Sequence, residues 1–247
     1  MSSDDNTPGA HYAVGRTSGK PFIAAGARIS IENPHVSGSQ YSAARIKLRN
    51  GPDSVEVGWR VDPTLHGDTH TRRFIRFDAG QSHCFNIRCP GFVLVRSDMQ
   101  IERVYYNSNK PYEPVEYFTV PAYIERDKVN GNWWLLLESA QTPVGFWPKQ
   151  LFTGLGNLAN SVEWGGEVFS PSGTRPPPMG RGFLVTGNPN VDAFFEQIAV
   201  LNEFGQTVDP DNIEEFADDK KLYIARDKGI KGGVFGHVVV YGPSIHI

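Results

Sequence analysis

Residues 54–61 read SVEVGWRV. The alternation is strict: Val55, Val57, Trp59 and Val61 fall on one side of an extended chain, and Glu56, Gly58 and Arg60 on the other. That period of two marks a half-buried strand. A strand glutamate usually faces water, yet the next residue on its face is a glycine, so the pattern sets a carboxylate beside an empty space. A second stretch, SVEWGGEV at 161–168, nearly mirrors it: Val162, Trp164, Gly166 and Val168 share one side, and Glu163, Gly165 and Glu167 share the other. The two segments are expected to pair antiparallel with Gly58 opposite Gly165. Trp59 then faces Trp164 as a cross-strand aromatic pair, Arg60 faces Glu163 as an ion pair, and Glu56 faces Glu167 with Cβ atoms roughly 5 Å apart. The two glycines would leave a bare floor for a substrate backbone and a water. Carboxylates that close do not both ionise easily, so they tend to share a proton. One can then act as general base on a water and the other as general acid. The bland alternative is two solvated glutamates on unrelated strands.

The same punctuation runs along the chain. Its 26 glycines and 18 prolines separate many short apolar stretches, among them ARISIEN, AARIKLRN, TRRFIRF, NWWLLLES, EQIAVLN and GHVVVYG. The spacing predicts an all-β fold. Roughly twelve strands exceed one twisted open sheet, so an antiparallel β-sandwich of two packed sheets is expected. One short helix is expected in PKQLFTGLGNLAN, where Pro148 suits a first turn and Leu151, Phe152, Leu155 and Leu158 have helical spacing. The segment SPSGTRPPPMGRG, 170–182, is expected to be an exposed loop because of its proline run. Residues 1–10 read as a disordered tail and 11–247 as one domain.

The chain has 247 residues, enough to bury a full core. Its 24 Lys and Arg nearly balance 27 Asp and Glu, so neither nucleic acid nor a membrane surface is an expected partner. No run of about 18 apolar residues is present to span a bilayer. The opening MSSDDNTPGA lacks the apolar core of a signal peptide, which leaves a cytoplasmic protein or a leader removed beforehand. Cys84 and Cys89 could be free thiols or, in a secreted protein, a short disulfide loop; a metal site would need more ligands nearby. His66 and His70 flank Asp68 in HGDTHT, but Pro63 and Gly67 argue for a turn rather than a zinc-binding helix. No G-x-S-x-G elbow and no phosphate-binding glycine motif occurs. No cofactor or metal is expected, and a monomer is.

Taken together, GARISIENP (26–34), VEVGWRVDPTLHGDTHTR (55–72), CFNIRCPGFV (84–93), NWWLLL (132–137), GFWPKQLF (145–152) and VEWGGEV (162–168) resemble the neprosin family of glutamic peptidases. The match runs in order from about His11, with a weaker echo in GIKGGVFGHVVVYGP. The resemblance implies a β-sandwich with two glutamates in a cleft, and cleavage on the carboxyl side of proline at acid pH. The E-x-GW motif assigns Glu56 as the first glutamate. The VEWGGEV segment assigns Glu167 as the second, with Glu163 as the alternative. Cys84 and Cys89 match the family's short disulfide loop. Plant members carry a signal peptide, a propeptide and a second cysteine pair near the C-terminus, and this chain shows none of them; secretion rests on the resemblance alone. Proline-containing peptides or proteins are the implied substrates. Gly58, Trp59, Trp164, Gly165 and Tyr241 are candidate substrate contacts, although the three aromatics are better suited to the core. Pro176–Pro178 is a candidate self-nicking site or simply a stiff loop. The runner-up is a β-sandwich glycoside hydrolase using the same two carboxylates, and a third reading is a binding module with both glutamates inert.

Overall fold

A computed structural model describes residues 7–106, 119–140, 142–210 and 212–244. The strands are β1 (Ala10–Ser30), β2 (Tyr41–Asn50), β3 (Asp53–Val61), β4 (Thr71–Ala79), β5 (Ser82–Phe85), β6 (Val93–Leu94), β7 (Val104–Tyr106), β8 (Thr119–Arg126), β9 (Trp133–Leu137), β10 (Pro143–Trp147), β11 (Ala159–Phe169), β12 (Ala193–Asn202), β13 (Thr207–Val208), β14 (Glu214–Ala217), β15 (Tyr223–Lys231) and β16 (Gly236–Pro243). The one α-helix among the described residues is α1 (Pro63–His66).

All pairings are antiparallel, and they join the strands into one 16-stranded sheet whose main path is β5-β4-β3-β2-β11-β1-β8-β9-β10-β6. The all-β expectation holds. The two separate sheets do not appear, because β1 runs through both halves. Its Ala10–Ser18 part pairs with β11, and Ala13–Arg16 also with β14. After a register shift between Ser18 and Phe22, its second part pairs with β8 and β12. Gly19 sits in that bend at φ 84°, a conformation that glycine adopts without steric cost. One bent strand therefore hands the hydrogen-bonding ladder from one half to the other, and the sheet curls instead of splitting.

Inside the curl lies the core. Val57 and Trp59 of β3, Ile46 and Leu48 of β2, and Val162, Trp164 and Val168 of β11 are all buried on one face. The halves are tied across it: the Trp59 indole N–H donates to the Ser30 carbonyl at 2.8 Å.

The expected helix at 148–160 is absent. A single 3₁₀ turn, Lys149–Leu151, forms there. Gly154 and Gly156 interrupt the helical pattern, and the buried Asp53 carboxylate takes the Gly154 and Leu155 N–H groups at 2.6 and 3.1 Å. Phe152 and Leu155 are buried without a helix. The α-helix forms instead at Pro63–His66, where Asp62 caps the Thr64 and Leu65 N–H groups and Gly67, at φ 79°, ends it. Residues 170–182 contain no regular element, as expected, but the segment is anchored. Pro177 is buried, and the Tyr223 hydroxyl donates to its carbonyl at 2.5 Å. The tail expectation falls partly on residues 1–6, outside the described residues. Ahead of β1, the Ala10 N–H closes a turn on the Thr7 carbonyl at 3.0 Å.

Candidate active site

The sequence predicted β3 beside β11. The structure places β2 between them. Arg45 of β2 stands opposite Gly58 on one side and opposite Gly165 on the other. One row further along, Lys47 stands between Glu56 and Glu163; in the other direction Ala43 stands between Arg60 and Glu167. Both flanking strands are antiparallel to β2, so β3 and β11 run parallel to each other. The expected Trp59–Trp164, Arg60–Glu163 and Glu56–Glu167 cross-strand pairs are therefore corrected. Alternation dictates which face a residue takes, and it is silent on which strand lies next door. The match of Gly58 with Gly165 survives as a shared row with Arg45 in the middle.

The empty space beside Glu56 is thus occupied from the neighbouring strand. The Arg45 guanidinium meets all three glutamates: Nε lies 2.9 Å from Glu167 Oε2 and 3.5 Å from Glu56 Oε2, and Nη1 lies 3.0 Å from Glu163 Oε2. Lys47 Nζ is 3.0 Å from Glu56 Oε1. Arg49 Nη1 is 3.5 Å from Glu163 Oε1. Arg60 pairs with Asp62 at 2.8 Å and reaches Glu167 at 3.9 Å, with its guanidinium 3.4 Å from the centre of the Tyr41 ring. The Tyr41 hydroxyl donates to Glu167 Oε1 at 2.6 Å. Arg45, Lys47, Glu56, Arg60, Glu163 and Glu167 are each at most 5 % exposed. A buried charge is tolerated when it is paired and hydrogen-bonded; Glu163 and Glu167 are both, whereas Glu56 is ion-paired to Lys47 and Arg45 with its Oε1 lacking hydrogen-bond geometry.

The electrostatics differ from the sequence expectation of a shared proton. Burial favours the neutral form of Glu167, but Arg45, Arg60, Arg76 and the Tyr41 hydroxyl overcome it and bring the Glu167 pKa down to about 2. Burial likewise opposes ionisation of Glu163, and Arg45, Lys47 and Arg49 reverse the effect and hold its carboxyl below the usual range. Burial and the neighbouring Glu167 carboxylate push the Tyr41 hydroxyl up, which keeps it a donor. The like-charge repulsion foreseen between two glutamates is replaced by shared attraction to one arginine.

Gly58 and Gly165 lie on this face, yet neither is simply making room for a side chain. A Cβ at Gly58 would fall 1.8 Å from the Ala44 carbonyl oxygen, and one at Gly165 would fall 2.2 Å from that of Ala13. Both are sites of close backbone approach between strands. Trp59, Trp164 and Tyr241 are on the opposite face, at most 1 % exposed and packed in the main core. Their burial assigns them to packing and leaves the polar face without them as aromatic contacts. Cys84 and Cys89 form a disulfide. Asp68 of the HGDTHT stretch pairs with Arg72, and among the described residues no cluster of three or more His, Cys, Asp or Glu has a metal-binding arrangement.

Arg45 and Lys47 are absent from the sequence-derived set of site residues. The signal was available in AARIKLRN, where Arg45, Lys47 and Arg49 alternate with Ala44, Ile46 and Leu48. Three cations on one face of a strand are a natural complement for three glutamates on the faces of two others.

Residues 38–243 match the neprosin family, and the chain belongs to it. It is a peptidase. Its fold is similar to a solved structure of Scytalido-glutamic peptidase with a peptide-based transition state analog, at a TM-score of 0.52 and 10 % identity, covering 96 % of this chain and 98 % of that one.

Proposed function

We propose that this chain is a glutamic endopeptidase that cleaves on the carboxyl side of proline at acid pH, with Glu56 and Glu167 as its catalytic pair. The observation that carries the reading is the convergence of both carboxylates, from strands that are not paired with each other, within 3.5 Å of one atom, Arg45 Nε. Glu167 is the base. Its carboxylate stays ionised in acid, with one oxygen held by Tyr41 and the other by Arg45. As the water oxygen bonds to the peptide carbonyl carbon, Glu167 takes the water's proton and the carbonyl π electrons move to its oxygen. When the tetrahedral carbon re-forms its carbonyl, the C–N bond breaks and Glu56 gives a proton to the leaving nitrogen. The proton on Glu167 then restores the pair for the next turnover. Glu163, tied to Arg45 and Arg49, is assigned a supporting role. Proline preference, acid optimum and secretion come from the family. The disulfide fits an oxidising compartment, and no helix among the described residues is long and apolar enough to cross a membrane.

The test is cleavage of a quenched peptide with one internal proline, from about pH 3 to 7, by wild type, Glu56→Gln and Glu167→Gln, with product masses locating the cut. Loss of cleavage in both variants, with wild type cutting after proline, supports the pair. An active Glu167→Gln with a dead Glu163→Gln moves the second role to Glu163. Hydrolysis of a polysaccharide in place of the peptide turns the reading to a glycosidase.

A further inference from the structure

We propose that Arg45 is a positioning residue of the hydrolysis: its guanidinium sets the spacing of the Glu56 and Glu167 carboxylates and keeps Glu167 ionised as the base. The proposal rests on the glutamic peptidase reading and extends it to a residue outside the carboxylate pair.

Geometry comes first. β3 and β11 are not neighbours, so no ladder hydrogen bond fixes Glu56 relative to Glu167. The link between them is the strand that separates them, and on it Arg45 stands level with Gly58 and Gly165. Close backbone approach at Gly58 holds β3 against Ala44 and Arg45 of β2 at that level, while Gly165 packs β11 against Ala13 and Val14 of β1. The Arg45 side chain is 2 % exposed, so its contacts are made away from bulk solvent, where they are poorly screened. Arginine suits the task because its planar fork offers several donors and stays charged in a protein interior.

Other charges face the same spot and must be weighed. From β3 come Arg60, held mainly by Asp62, and Glu56. From β2, Lys47 serves Glu56 and Arg49 serves Glu163. From β4, Arg76 stands opposite Glu56 and is paired with Asp78. From β1, Arg16 stands opposite Glu163 but is paired with Glu214, and the Tyr12 ring lies 5.6 Å from the Arg45 guanidinium. Tyr41 donates to Glu167. Arg45 Nε lies closer to Glu167, at 2.9 Å, than the Arg60 guanidinium does, at 3.9 Å, and one Arg45 guanidinium is in ion-pair reach of Glu56, Glu163 and Glu167.

The experiment compares Arg45→Gln and Arg45→Lys with wild type by kcat and KM across pH, with circular dichroism and thermal melts to establish folding. In Arg45→Gln, kcat is expected to fall by about 10²-fold with KM little changed, and the acid limb of kcat/KM to move up by about one to three pH units as Glu167 loses its nearest cation. Arg45→Lys keeps the charge but lacks the fork. It is expected to return the acid limb towards wild type while recovering kcat only in part. A folded Arg45→Gln with the wild-type acid limb overturns the proposal. If Arg45→Gln does not fold, an Arg45→Lys enzyme with wild-type kcat and an unmoved acid limb overturns it instead. Glu56→Gln and Glu167→Gln, assayed alongside, separate the two levels. If both are dead while Arg45 variants match wild type, Arg45 is wrong and the pair stands. If both are active, the pair reading itself falls.

Discussion

The three strands β3, β2 and β11 present two faces that are equally dry and chemically opposite. On one, Val57, Trp59, Ile46, Leu48, Val162 and Trp164 are at most 1 % exposed; on the other, Glu56, Arg45, Lys47, Glu163 and Glu167 are at most 4 % exposed. The apolar face is stabilised by removal of surface from water and by close packing, which are non-directional and spread over many contacts. The charged face gains from a few directional contacts that must offset the desolvation of every charge. Burial alone therefore says little about what a position is for. The first face is held by packing, and the second by ion pairs that converge on Arg45.

The comparison is open to breakage at several points. The sharpest contrast sets Glu167→Gln against Trp164→Ala, three residues apart on one strand. Glu167→Gln is expected to lower kcat/KM by about 10²- to 10⁴-fold. Trp164→Ala is expected to cost about 3–5 kcal/mol in denaturant unfolding, and the folded fraction should keep the wild-type pH profile. If the tryptophan variant instead changed the pH profile, the two faces would not be functionally separate.

Next in size is Gly58→Ala, which forces the Ala44 carbonyl to retreat. It is expected to reach the upper end of about 1–3 kcal/mol of destabilisation, and to lower kcat because Arg45 follows Ala44 in the chain. Replacing Cys84 by Ser opens a loop with a sequence separation of 5; closure entropy for so short a loop is about 2 kcal/mol. Melting of the reduced and oxidised wild type checks the same quantity, and the pH–rate profile should not move.

A further effect is a slope of stability against pH. Glu167 has its pKa depressed in the folded state, from an ordinary 4.5 to about 2. The stability it contributes is present above the unfolded value and is lost as pH falls through the folded one. The melting temperature is thus expected to decline between about pH 4.5 and 2, and to decline less steeply in Glu167→Gln. Equal slopes in the two proteins would show that the cations around Glu167 do not hold it ionised.

Part of this molecule was legible before any coordinates. Alternation in SVEVGWRV and SVEWGGEV placed each glutamate on the face opposite the tryptophans, and the strands bear that out. The helix misread at 148–160 shows the limit of periodicity. Leu151, Phe152 and Leu155 have helical spacing, but Asp53, about a hundred residues upstream, captures the N–H groups of Gly154 and Leu155. In the same way, the mirror relation of the two Glu-Gly-Trp segments suggested direct pairing, whereas β2 separates them.

Face and period are local properties, written by the geometry of the extended chain into every second residue, so the sequence by itself determined the all-β class and, in the two glutamate strands, which face the carboxylates and the tryptophans take. Neighbours are not local. Which strand lies beside which depends on loop closure, on the bend of β1 at Ser18–Phe22 and on the free energy of the whole sheet. Only the tertiary structure could place Arg45 between Glu56 and Glu167, because three buried carboxylates need cations and the nearest ones came from a strand that the pattern of either glutamate segment does not mention.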